Sequence, residues 1–354
     1  MTKNAAAACV LVAATVAAAT TWRVEAHKPI TSPYTFTEDV LPILRDRCTA
    51  CHVAGGPAPM ALTTAEDTVP WGESIRLELV AGHMPPWSAV SNGSRLRHAE
   101  GLTARELNVL LTWVTGGTPI NAPPPGAPAP APAWSLGAPD AIVPLPEAAV
   151  AADQAELTKE FVLPLDATSR RPLRAVDLKP GTRSLVRSAQ ISVKTATQAG
   201  DVERLLALWV PGDTPVPLPD GASLDVPNDA ELVVRVRYKK TWEHERDAMS
   251  DRSELGLYFA SGTPVRRLAL DGQPLRGGVR VLSVYPSASS TVTRVTLDAT
   301  SADGATRRII EFTPRPGWDR RYAFDPPIDL PAGTRLQGSP PGALVVNVVP
   351  LPSR

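Results

Sequence analysis

Cysteine is nearly absent from this chain: three residues in 354, at positions 9, 48 and 51. So few thiols exclude a disulfide framework as the source of stability. Other metal donors are sparse too, with five histidines and four methionines. Charge is balanced at 36 basic and 36 acidic residues, and neither sign forms a long run. Neither nucleic acid nor an anionic membrane surface is therefore an expected partner. The one extended apolar stretch, Ala5 to Ala19, is alanine-rich and falls short of the roughly 20 strongly apolar residues that a membrane-spanning helix needs.

That stretch suits another role. Lys3 gives a weakly positive start, and Val24-Glu25-Ala26 offers a small-residue cleavage site, which together form the pattern of a secretory signal. Residues 1–26 are expected to be a signal peptide, a retained anchor being the alternative, and the mature protein to begin at His27 in the periplasm or outside the cell. Cys9 would leave with the signal, so that the mature chain holds only Cys48 and Cys51.

The length suggests two or three domains, and the sharpest change in composition falls at "TPINAPPPGAPAPAPA", residues 118–133. Alternating Pro and Ala predicts an extended, semi-rigid linker. Before it, over 27–117, the patterns are helical. Thr35-x-x-Glu38 has capping-box form and precedes the stripe Val40, Leu41 and Leu44, with Pro42 predicting a kink or a later start. A second helix is expected from Thr64 through Trp71, Ile75 and Leu79 to Gly82. A third is capped by Thr103-x-x-Glu106, carries Leu107, Leu110, Leu111 and Val114, and ends at Gly116-Gly117.

After the linker the period is two. In "ELVVRVRYKK" the residues Leu232, Val234, Val236 and Tyr238 share one face, and Val233, Arg235, Arg237 and Lys239 the other. "TRVTLDATSADGATRRIIEF" predicts a hairpin turning at Asp303-Gly304, and "GALVVNVV" a closing strand. The fold class expected is α+β multidomain: a small all-α unit followed by an all-β sandwich region, either one large sandwich or two stacked ones.

The chemistry-bearing motif is Cys48-Thr-Ala-Cys51-His52. Two thiols at this spacing followed by His are the signature of c-type haem attachment. A zinc site would need two further ligands nearby. Cys48 and Cys51 are the expected covalent anchors for one haem and His52 the proximal iron ligand. For the distal position Met84, in "AGHMPPW", is favoured because two prolines stiffen its loop; Met60 and His83 are the alternatives. His/Met ligation raises the potential and suits electron transfer.

"GGPAPM", "AGHMPPW" and "LTARELNVLLTWVTGG" resemble the loop, the methionine loop and the last helix of class I cytochrome c domains. "YTFTEDVLPILRDRCTACH" followed by "MPPW" resembles secreted bacterial proteins in which such a domain precedes one similar to the copper type II, ascorbate-dependent monooxygenases of the peptidylglycine hydroxylating fold. The resemblance implies two stacked jelly rolls, here 134–262 and 263–354. It also implies copper ligands that are missing. Arg187 and Ser188 stand where a His-His pair should be, Arg237 where the next His belongs, and Ser287 and Ser289 in place of a His-x-His pair; no Met follows Met249. Arg and Ser cannot replace imidazole or thioether donors on copper. His244, alone in the β half, is expected to be a solvated loop residue, and Met249 a solvated or packing one.

These readings imply an exported monohaem cytochrome rather than an enzyme. It would carry electrons to or from a redox protein or a membrane-associated electron-transfer complex, through a haem edge near Cys51 and the Met84 loop. Copper and a small-molecule substrate are not expected, and the β half would serve as a docking or structural module. A copper monooxygenase with haem electron input and a redox-sensing binding module are the alternatives; for the latter, Trp209, Trp242 and Trp318 make no evident sugar platform.

Overall fold

The computed structural model describes residues 31–99, 101–121, 133–166, 169–198, 200–287 and 294–352. The expected signal peptide and most of the Pro/Ala linker lie outside these residues. The chain is mostly β, 39% strand against 14% helix, and its buried side chains fall into three hydrophobic clusters.

The first cluster is helical. Phe36, Val40, Leu41, Leu44, Leu79, Leu110 and Trp113 are buried in it, and Phe36 and Trp113 meet with ring centroids 5.8 Å apart. The helix Ala104–Thr115 begins with the complete capping box of Thr103 and Glu106. Glu106 also accepts from Arg47, which ties this helix to the end of the helix Leu41–Arg47. At the other end Gly116 permits a close approach, since a Cβ there would lie 2.6 Å from the Ser32 side chain.

The start of the chain's first helix differs from expectation. Phe36–Val40 is a π-turn, and Asp39, not Glu38, accepts from the Thr35 N–H at 2.8 Å. Pro42 has no N–H to continue a regular ladder, and the wider turn upstream moves the capping carboxylate one residue along. The second helix is also segmented. Thr64 caps Ala65–Thr68, Val69–Trp71 tightens at Pro70, and Gly72–Val80 follows.

The second cluster draws on two sheets. One runs in the order Glu156–Pro164, Glu231–Lys239, Val186–Thr197, Gly200–Trp209, and the other in the order Ala141–Pro144, Glu254–Phe259, Leu173–Lys179. Leu232, Val234, Val236 and Tyr238 all point into this core, as their alternation requires. Val233, on the opposite face, is buried as well.

The third cluster also joins two sheets. The five-stranded one is ordered Arg266–Leu268, Leu344–Pro350, Val279–Pro286, Tyr322–Leu330, Arg95–Leu96; the four-stranded one Val90–Ser91, Thr306–Phe312, Val295–Thr300, Arg335–Ser339. The hairpin at Asp303-Gly304 is present, with Asp303 accepting from the Ala305 N–H.

Two of these strands come from the helical half. Val90 and Ser91 pair with Glu311 and Ile310, while Leu96 and Arg95 pair with Phe324 and Asp325. Ala89 is buried in this third cluster and Trp87 packs against it, edge-on to Tyr322 at 5.4 Å. The expected unit 27–117 is therefore interrupted: its residues 87–97 complete a β core more than two hundred residues further along the chain. Two-residue strands carry no readable period, so local patterning gave no signal for them.

Alternation on Glu231–Lys239 predicts opposite outcomes for two substitutions. Leu232→Ala should cost about 2–5 kcal/mol, whereas exposed Lys239→Ala should stay within about 0.5 kcal/mol. Urea unfolding followed by far-UV circular dichroism measures both, and equal losses would contradict the assigned faces.

Candidate haem attachment site

Cys48 and Cys51 lie on the turn that continues the helix Leu41–Arg47. The Cys51 and His52 N–H groups both donate to the Cys48 carbonyl, at 3.1 and 2.9 Å. Both cysteines are free thiols. Burial, with Cys51 beside it, pushes the Cys48 thiol up to about 12. Burial likewise pushes His52 down from its ordinary value, so the neutral imidazole is favoured. Its Nδ1 is 3.3 Å from the Met60 carbonyl oxygen. A carbonyl only accepts, so Nδ1 carries the proton and Nε2 is left with its lone pair.

The candidate distal residues are separated by this geometry. Met60 packs half-buried against the helical core, and its carbonyl is the group that orients His52. Met84 lies beyond the end of the helix Gly72–Val80, 43% exposed, in a stretch where Leu77 and Val80 are 53% and 66% exposed. The Met84–Pro85 peptide is cis. His83 is turned to Glu78, Nδ1 to Oε2 at 3.1 Å, so its imidazole is engaged at the surface.

These features fit a covalently attached haem. Two unoxidised thiols stand one turn apart, the adjacent imidazole presents Nε2, and Ile75, Leu107, Leu111 and Val114 are only partly buried on the same small core that Cys48 packs against. Leu77, Val80 and Met84 are exposed apolar residues of the same half. Incompletely covered apolar side chains of this kind suit the burial of a large apolar group.

The β half reaches this site at two places. The Cys51 Sγ is 3.4 Å from the Pro211 carbonyl oxygen, and Gly212 packs against Ala50. Cys51 is half-buried, with the loop that leaves the strand Gly200–Trp209 on one side of it. From the third cluster, Arg315 donates to the carbonyls of His83 (2.8 Å) and Gly82 (2.6 Å), gripping the Met84 loop. Neither contact was visible in sequence, because each joins segments more than a hundred residues apart.

The positions matched to copper ligands are partly brought together. Arg187 and Ser188 lie on Val186–Thr197, and Ser188 pairs directly with Arg237 on the neighbouring strand. Arg187 is buried and donates to the Ser184 carbonyl at 2.9 Å. Arg237 forms an ion pair with Glu156 and reaches the Gly317 carbonyl. Ser287 donates its N–H to Ala343; Ser289 lies outside the described residues. His244 is held to Asp247 at 3.0 Å in an exposed turn, and Met249 packs on the second cluster. Trp209 is buried in that same core, whereas Trp242 is exposed.

No protein-family model matches this chain, and no curated protein matches it in sequence.

The contact at Ala50 is open to a matched comparison. Gly212 and Gly137 both have left-handed backbone, with φ of 81° and 80°. A Cβ at Gly212 would lie 2.8 Å from the Ala50 Cβ, while one at Gly137 meets nothing within 4 Å. Both Gly→Ala changes carry the backbone strain of positive φ, on the order of 1 kcal/mol. Gly212→Ala should lose measurably more stability in denaturant, and equal losses would argue against the contact.

Proposed function

We propose that the protein is an exported, monohaem c-type cytochrome that transfers electrons in the periplasm or outside the cell, not an enzyme. The residues of the helical cluster form a small cytochrome c unit, and the two β clusters are copper-less jelly rolls that act as a docking or structural module for a redox partner. The observation that carries this reading is the Cys48-Cys51-His52 turn, with both thiols free and the imidazole held by Met60 so that Nε2 is presented.

In this reading Cys48 and Cys51 would hold the group covalently and His52 would supply a nitrogen ligand to its iron. Met84 is the favoured further ligand, with Met60 and His83 as alternatives. Engagement of His83 by Glu78 and of the Met60 carbonyl by His52 favours Met84. The haem supplies a one-electron couple. The chain's own work is to orient the imidazole, cover the apolar wall and shape the surface that a partner meets. With Pro211 and Gly212 beside Cys51, the exposed apolar residues Leu77, Val80 and Met84 are the surface proposed to meet the partner.

Arg187, Ser188 and Arg237 support the copper-less reading of the β half. Guanidinium groups are permanent cations and repel a metal ion.

Two measurements test the haem reading. The purified protein should give a c-type pyridine haemochrome spectrum with one haem per chain; a haem that extracts into acidified organic solvent would sink the proposal. The oxidised protein should also show the weak sulfur-to-iron band near the red end of the visible spectrum. Met84→Ala should abolish that band and lower the potential. Loss of the band in Met60→Ala instead would reassign the ligand.

A further inference from the structure

The seam between the helical cluster and the second cluster holds a buried cation beside the attachment cysteines. Strands Val186–Thr197 and Gly200–Trp209 run antiparallel with Ala189 opposite Trp209. The ladder stops at that pair, with Arg187 two residues before it on one strand and Pro211 two residues after it on the other; the Pro211 carbonyl touches the Cys51 sulfur. Arg187 is only 9% exposed, and its described hydrogen bond goes to a neutral carbonyl, that of Ser184. Burial lowers its pKa to about 10, and the Cys51 sulfur is close enough to act on its charge; at neutral pH it remains a cation. Its neighbour Arg237 differs, because Glu156 answers that charge in an ion pair.

Burying a cation without a carboxylate is costly, and this one lies close enough to Cys51 for the two to interact electrostatically. We propose that Arg187 is a positioning charge that raises the reduction potential of the haem attached at Cys51. The proposal rests on the haem reading above. Oxidation adds one positive charge to the attached group, and a fixed cation in the same dry seam disfavours that state, so the reduced form gains. For a unit charge acting through a partly buried seam, the reduction equilibrium should move about tenfold, or about 59 mV for a one-electron couple.

The test is a potentiometric titration of the full chain carrying its haem, with the pyridine haemochrome taken on the same samples. Arg187→Gln should lower the potential by about tenfold in equilibrium terms, and Arg187→Lys, which keeps the charge, should restore it to within about twofold. An unchanged potential in Arg187→Gln, or Gln and Lys variants that fall together, overturns the proposal while the c-type spectrum leaves the haem reading intact. If Arg187→Gln does not fold, Arg187→Met, which fills the same buried space without a charge, takes its place, and an unchanged potential there overturns it. A wild-type chain without covalent haem overturns the haem reading itself, and this inference with it.

Discussion

The chain between Met84 and Arg97 has to serve two cores at once, and much of the arrangement follows from that constraint. It leaves the helical cluster at Gly82 and His83, whose carbonyls are held by Arg315. It then buries Ala89 and packs Trp87 in the third cluster, pairs with both of that cluster's sheets, and returns to start the helix at Thr103. The methionine loop is thus positioned from the far β core, while the cysteine turn is positioned from the nearer one through Pro211 and Gly212. A core as small as the helical one offers limited burial of its own, and both ends of its candidate site are braced by β structure.

The seam formed in this way has an unusual electrostatic character. Arg187 and Arg315 are satisfied differently: the first by the single carbonyl of Ser184, the second by the two carbonyls of Gly82 and His83 just past a helix end, while Arg237 beside Arg187 has the Glu156 carboxylate and the Gly317 carbonyl. Two carbonyls just beyond the helix Gly72–Val80 accept from Arg315, so that guanidinium has more than one acceptor. Arg187, with one carbonyl partner and no carboxylate among the described residues, is the least compensated of the three.

What was legible in the sequence was what is local. The helix Ala104–Thr115 was readable because its cap, stripe and terminating glycines lie within fifteen residues of one another. Glu231–Lys239 was readable because a period of two survives over nine residues. The π-turn at Phe36–Val40 was not, since the capping pattern Thr35-x-x-Glu38 presumes a regular first turn, and Pro42 acts on it from downstream. The Cys48-Cys51-His52 motif was legible by residue type and spacing, but the partner of His52 and the cover over Cys51 depend on contacts made by the fold. The strands Val90–Ser91 and Arg95–Leu96 were illegible for the plainest reason, that two residues cannot show a period.

Those two short strands occupy the outermost place in each sheet of the third cluster. Without them Thr306–Phe312 and Tyr322–Leu330 would present unpaired N–H and C=O groups along exposed flanks, one in each sheet, which are templates for pairing with another chain. Cutting the protein at its proline-rich linker would therefore not yield two independent halves. It would leave a helical fragment with an unpartnered internal loop and a β fragment with two uncovered edges, so the helical half acts as an edge cover for the half that follows it.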